Sequence, residues 1–169
     1  ARRVAAPRAA IRSEQASWPV RAFHRAWMGT PYFRDGFVGC GVYGLSEAAR
    51  SRFERFPDII SDDGFVRSLF QAGERRVVDE LAVEVWAPRD FRSLLRVRTR
   101  SRLGSLQLRQ RLPARYASDR AEKRRGATLW ELLRQPRLWT SLPVYGLVKL
   151  LAEFRARRQL RSAQRLSRL

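Results

Sequence analysis

The sequence is poorest in the residues that build covalent and metal-bound sites. It holds one cysteine, Cys40, and one histidine, His24. A lone cysteine excludes an internal disulfide, and one cysteine with one histidine does not make a zinc ligand set. Both fit a reducing compartment. Long apolar runs are also missing. The nearest candidate, 142–151, is about ten residues long, against the roughly 20 that span a bilayer, and it contains Pro143 and Lys149. No charged-then-apolar leader precedes a cleavage pattern, so no signal peptide is expected. Lysine is almost absent, at positions 123 and 149 only, so arginine supplies nearly all of a net charge of +19.

What is present is a chain long enough for one domain with a hydrophobic core. Its 44% hydrophobic content excludes full disorder. An arginine and alanine bias of this kind can come from a GC-rich genome alone, so the distribution of charge says more than its total. Residues 1–88 carry 13 basic and 11 acidic side chains, a net of +2, whereas residues 89–169 carry 22 and 5, a net of +17. The first half reads as ordinary globular sequence and the second half carries the field.

Residues 1–17 are short of large apolar side chains and read as an arm or the end of a longer domain. Residues 18–28 have helical spacing, with Pro19 suited to a first turn. The glycine-broken apolar segment 37–45 reads as one or two short strands. Ser46 caps a helix over 47–56, which Pro57 stops, and residues 58–60 are a short extended piece. Ser61 caps a helix over 62–71. Residues 76–86 alternate at Leu81, Val83 and Val85, the signature of a strand. Pro88 and Asp90 open an arginine-rich helix to about Leu103, bent or ended at Gly104, with a continuation to Leu112. Residues 113–127 are a charged linker. The capping box Thr128-Leu129-Trp130-Glu131 starts a short helix, and a basic amphipathic helical tail completes 128–169. Its apolar stripe is Val144, Leu147, Val148, Leu151 and Phe154, with six arginines after it.

Two segments are suited to chemistry. In Ser61-Asp62-Asp63-Gly64, two adjacent carboxylates open a helix, where the dipole favours negative charge. A charged carboxylate facing a cleft takes a proton from a hydroxyl. Neighbouring helical residues diverge by about 100°, so one of the two faces a reacting group. First-turn capping alone also accounts for both aspartates. In 96–104, arginines at every second position offer forked contacts to phosphate; a solvated or membrane-facing basic helix is the other reading. Gly39-Cys40-Gly41 permits close backbone approach to a ligand or simply a tight strand. Cys40 has no His-Asp arrangement and reads as a small buried residue. His24 reads as packed or at the surface. Among the five tryptophans, Trp27 stands out because it precedes the glycine segment.

The order of these pieces resembles the second, acceptor-side half of inverting family 2 glycosyltransferases with a GT-A fold. The residues that carry the resemblance are Pro31-Tyr32, Gly39 to Ser46, Arg52-Phe53, Phe56-Pro57, Ser61 to Val66, Glu74-Arg75, Pro88 and Arg98 to Gly104. It covers roughly residues 18–112. The resemblance implies an α/β chain, an incomplete GT-A-type domain followed by the helical tail. It implies that Asp63 is the catalytic base and that Asp62 and the loop Gly39, Cys40 and Gly41 bind the acceptor. Arg100 matches the arginine of the family's Gln-x-x-Arg-Trp motif, with Val97 and Ser101 where its glutamine and tryptophan stand. That departure resembles non-processive members, and Arg98 and Arg100 are the implied donor diphosphate contacts. The family's donor-binding half, with an Asp-x-Asp motif that holds Mg²⁺ or Mn²⁺, has no counterpart in this sequence. The metal is therefore expected for the complete enzyme with its ligands outside this chain. The missing half is expected in cis or as a partner chain, and no activity is expected from this chain alone. The implied partners are a nucleotide-sugar donor, a hydroxyl or lipid-linked acceptor, and the cytoplasmic face of an anionic membrane.

Two other readings compete. The basic second half suits a nucleic-acid-binding module, but no recognised fold motif or plain aromatic-basic surface accompanies it. The tail helix suits a membrane-surface adaptor, or equally an amphipathic helix packed on the domain.

Overall fold

A computed structural model describes residues 4–34, 40–112 and 130–166. The fold is mixed α/β, with helices around a small open sheet of three strands. Strand β1 (Val4–Arg12) is central. It pairs antiparallel with the two-residue β2 (Gly44–Leu45) and parallel with β3 (Arg75–Trp86). The segment expected as an arm or a domain end is thus the middle of the sheet. Its inward residues Val4, Ala6 and Ala9 are buried, and their small size conceals them from a scan for large apolar side chains.

Proline is disfavoured in a central strand because it has no N–H to donate. Pro7 is accommodated by a break in register. It lies opposite Val78, while the next residue, Arg8, lies opposite Ala82. Asp79, Glu80 and Leu81 bulge out of the ladder. The Arg8 guanidinium pins the bulge by donating to the Asp79 carboxylate (Nε–Oδ1 2.9 Å). Leu81, which the sequence alternation assigns to the strand's packed face, sits in this bulge and is exposed.

Helix α1 (Trp18–Met28) follows Ser17 and ends at Gly29. Short helices α2 (Pro31–Arg34) and α3 (Glu47–Arg50) come next, then α4 (Asp62–Leu69). Ser46 caps α3 as expected, accepting from the Ala49 N–H (3.2 Å). The helix stops at Arg50 rather than continuing to Phe56, because the following chain turns to pack Phe53 and Phe56 against Phe65. The Arg52 and Glu74 side chains pair, and Arg52 also donates to the Leu69 carbonyl (2.7 Å). These two motif residues therefore hold the far end of α4.

Helix α5 (Phe91–Arg111) is continuous. Asp90 caps it by accepting from the Ser93 N–H (2.8 Å). Gly104 does not end it. Its role is to bring α5 close to the chain before α4, since a Cβ there would lie 2.9 Å from the Ser61 backbone nitrogen. At about 1.5 Å per residue α5 is some 30 Å long and joins two cores. Near its C-terminus, Leu108 packs with Val4, Ala6, Ala49, Phe65, Val66 and Phe70. Near its N-terminus, Leu94 packs with Ala16, Val20, Phe23 and Val148.

The second core includes the last helix, α6 (Leu142–Leu166), so the expected tail is packed on the body through Val148, Ala152 and Ala156. A helical turn at 130–133 leads through the 3-10 turn Pro136–Leu138, whose Leu138 and the preceding Leu132 close over Gly29. Residues 128 and 129 of the expected capping box, and the expected linker at 113–127, lie outside the described residues.

Candidate functional site

The acidic turn is built by α4 and clamped by α5. Ser61 precedes α4 with φ −102° and ψ 74°, outside both the helical and the extended regions, and its hydroxyl does not cap the helix. It donates instead to Asp63 Oδ1 (2.9 Å), which also accepts from the Gly64 N–H (2.7 Å). Both bonds fix one oxygen of the carboxylate. Asp63 Oδ2 makes no hydrogen bond among the described residues. Asp63 is half-buried and Asp62 is exposed, so the two diverge as helical geometry requires. A Cβ at Gly64 would come 2.4 Å from the Ser61 hydroxyl and turn it away from Asp63.

Segment 58–61 lies along one row of α5. Gln107 Oε1 accepts from the Ile60 N–H (3.0 Å), Arg111 donates to the Asp58 carbonyl, and Gly104 touches Ser61. Positions 100, 104, 107 and 111 fall on one side of a helix by the i, i+4, i+7, i+11 spacing. Arg100 therefore stands one turn before Gly104 in the row facing the acidic turn, exposed and without a carboxylate partner among the described residues.

Of the glycine segment, Tyr43 lies within electrostatic reach of the acidic turn. Gly39 lies outside the described residues. Gly41 takes a left-handed backbone (φ +80°), which favours glycine, and Cys40 is half-buried with only a long contact to the Val42 carbonyl. Two residues on, the Tyr43 hydroxyl has its pKa raised by burial first and then by the charges of Asp62 and Asp63. Asp62, Asp63 and Tyr43 thus share one electrostatic neighbourhood.

Arg98 is not part of it. Half a turn from Arg100 around α5, its guanidinium sits over the rings of Trp27 (4.3 Å) and Phe23 (4.8 Å). Its Nε is buried without a hydrogen-bond partner among the described residues, and burial lowers its pKa to about 10, offset in part by Tyr145 and Tyr32. Around it, Phe23 stacks on Tyr145 and Trp27 packs edge-on to His24 and Phe33. His24 is buried, its Nδ1 against the Val20 carbonyl (2.9 Å), and burial lowers its pKa, with Arg98 adding to the effect. Sequence reasoning grouped Arg98 with Arg100 and missed this cluster. The available signal was aromatics at 23 and 27 on one face of α1, opposite an arginine one turn beyond the buried Leu94. Tyr43 was likewise passed over, although it stands beside the glycines that were singled out.

Among the described residues, no three histidine, cysteine, aspartate or glutamate side chains converge on a metal-sized space. No helix among the described residues is long and apolar enough to cross a membrane. No family model, curated protein or solved structure matches the chain.

Proposed function

We propose that this chain is the acceptor-side part of an inverting glycosyltransferase of incomplete GT-A type, with Asp63 as the general base. The observation that carries the reading is the Asp63 carboxylate. One oxygen is immobilised by Ser61 and Gly64, and the other has no partner among the described residues, beside Tyr43 of the glycine segment. A base needs a fixed orientation and an unoccupied lone pair within reach of the proton it takes.

In the proposed reaction, Asp63 takes the proton of an acceptor hydroxyl. The freed oxygen pair bonds to the anomeric carbon as the bond from that carbon to the nucleotide diphosphate breaks. The diphosphate leaves with the bonding electrons. Arg100, exposed in the row beside the acidic turn, suits the developing charge on the leaving phosphate. Arg98, enclosed by rings, suits a role in holding α5 to α1. Asp62 suits a hydrogen bond to the acceptor. A donor-binding half, with its metal, would complete the site from outside this chain.

The test is sugar transfer by the complete protein with Asp63→Asn and Asp62→Asn. Asp63→Asn is expected to slow transfer by about 10²–10⁴-fold with an unchanged melting midpoint, and Asp62→Asn by less. Transfer within threefold of wild type in the Asp63 variant would sink the assignment.

A further inference from the structure

The two faces of α6 are both apolar, and only one is used. On one side Tyr145, Val148, Ala152 and Ala156 pack into the second core. On the opposite side, by helical spacing, stand Leu147, Leu150 and Phe154, which are 51%, 72% and 67% exposed. The apolar stripe visible in the sequence is therefore divided. Val148 belongs to the core, while Leu147 and Phe154 form a separate ridge together with Leu150. Arg157, Arg158 and Arg161 continue that ridge towards the C-terminus, all exposed.

The charge around the ridge is of one sign. Glu153 is the sole acid in 142–166. Its carboxylate is taken by Arg102 and Arg157, which lower its pKa. Arg155, Arg158 and Arg161 have no carboxylate partner among the described residues. Just before α6, Trp139 turns its N–H inward to the Leu133 carbonyl (2.9 Å) and leaves its ring exposed.

We infer that this ridge docks the protein on an anionic bilayer surface, with α6 lying in the interface plane. Leu147, Leu150 and Phe154 enter the acyl boundary, and Arg158 and Arg161 meet lipid phosphates. Charge complementarity favours this occupant. A second copy would bring the same arginines and no free acid to the contact. A nucleic-acid duplex would satisfy the arginines and leave three large apolar side chains in water. A bilayer takes both. The inference does not depend on the chemistry at Asp63.

The experiment is co-sedimentation of the chain with vesicles of phosphatidylcholine, with and without about one third phosphatidylglycerol. Helix content by circular dichroism is checked for each variant. Wild type is expected to bind the anionic vesicles at least tenfold more tightly than the neutral ones. L150S/F154S is expected to lose at least tenfold of that binding. R158S/R161S, at two exposed positions, is expected to lose several-fold and to flatten the salt dependence. Equal binding to both vesicle types, no binding, or binding unchanged in either double variant would overturn the inference. So would light scattering showing a dimer that L150S/F154S dissociates, which would assign the ridge to a second copy.

Discussion

Helix α5 passes through two charged regions that resolve the same problem in opposite ways. At Arg98 a cation is enclosed by Phe23, Trp27 and Tyr145, with no acid beside it among the described residues. At Asp62 and Asp63 two anions stand at the half-open start of α4, with hydrogen bonds from described residues on Asp63 Oδ1 only. The enclosed charge is tolerated because ring faces offer about 1–2 kcal/mol of attraction when desolvated, against a desolvation cost that lowers its pKa. The open charges remain in contact with solvent, Asp62 exposed and Asp63 half-buried. Two regions packed against one helix thus differ in kind: the charge at Arg98 is closed in by rings, and the charges at the start of α4 are left open.

The contrast can be broken most forcefully at Gly104. Valine there would place Cβ against the Ser61 backbone and Ile60, so α5 and the acidic turn must separate. The expected loss is about 2 kcal/mol of stability, read as a lower urea midpoint with an unchanged m-value. A change smaller than about 0.5 kcal/mol would mean that the turn is not clamped by α5. At the other region, Arg98→Met keeps the bulk and removes the enclosed charge. It is expected to be neutral or to stabilise by up to about 1 kcal/mol, because apolar isosteres of buried charges commonly do so. A loss above about 2 kcal/mol by the same denaturation would show that the rings bind the cation more strongly than its desolvation costs.

The subtlest effect lies in the pH dependence set by His24, the only histidine. Its folded pKa is lowered, first by burial, so below the unfolded value of about 6.5 the unfolded chain binds more protons. Stability is therefore full above that value and falls as pH drops through the window below it. His24→Gln should flatten this slope in melting midpoints taken between about pH 7 and pH 5. Arg98→Met should shrink it, since Arg98 contributes to the lowering. An unchanged slope in His24→Gln would place the titrating group elsewhere.

Much of the helical architecture was legible because local signals and packing agree. Pro19 opens α1, Ser46 and Asp90 cap their helices, and the alternation over 76–86 marks β3. What escaped is set by long-range contact. Val4–Arg12 reads as unstructured because alanines and a proline carry weak strand propensity, yet the sheet forms around it. Ser61 looks like a cap, but with Gln107 and Gly104 pressed against its segment its hydroxyl turns to Asp63. In the site, Asp62 and Asp63 were found from their place at a helix start. The separation of Arg98 from Arg100 follows from which face of α5 meets α1, and no local pattern encodes that. The ridge on α6 was visible only in part, since the stripe alone does not say which members the core claims.

The bulge at Asp79–Leu81 has a consequence for the free edge of β3. A twelve-residue edge with no partner strand among the described residues would invite a visiting strand to add itself along the whole length. Because the ladder with β1 slips by three residues between Val78 and Ala82, that edge is two short templates that no regular strand can match at once. A chain that pairs with 75–78 arrives out of phase at 82–86, and it meets Asp79 and Glu80 between them. The irregularity that lets Pro7 sit mid-sheet also guards the border of the sheet against runaway polymerisation.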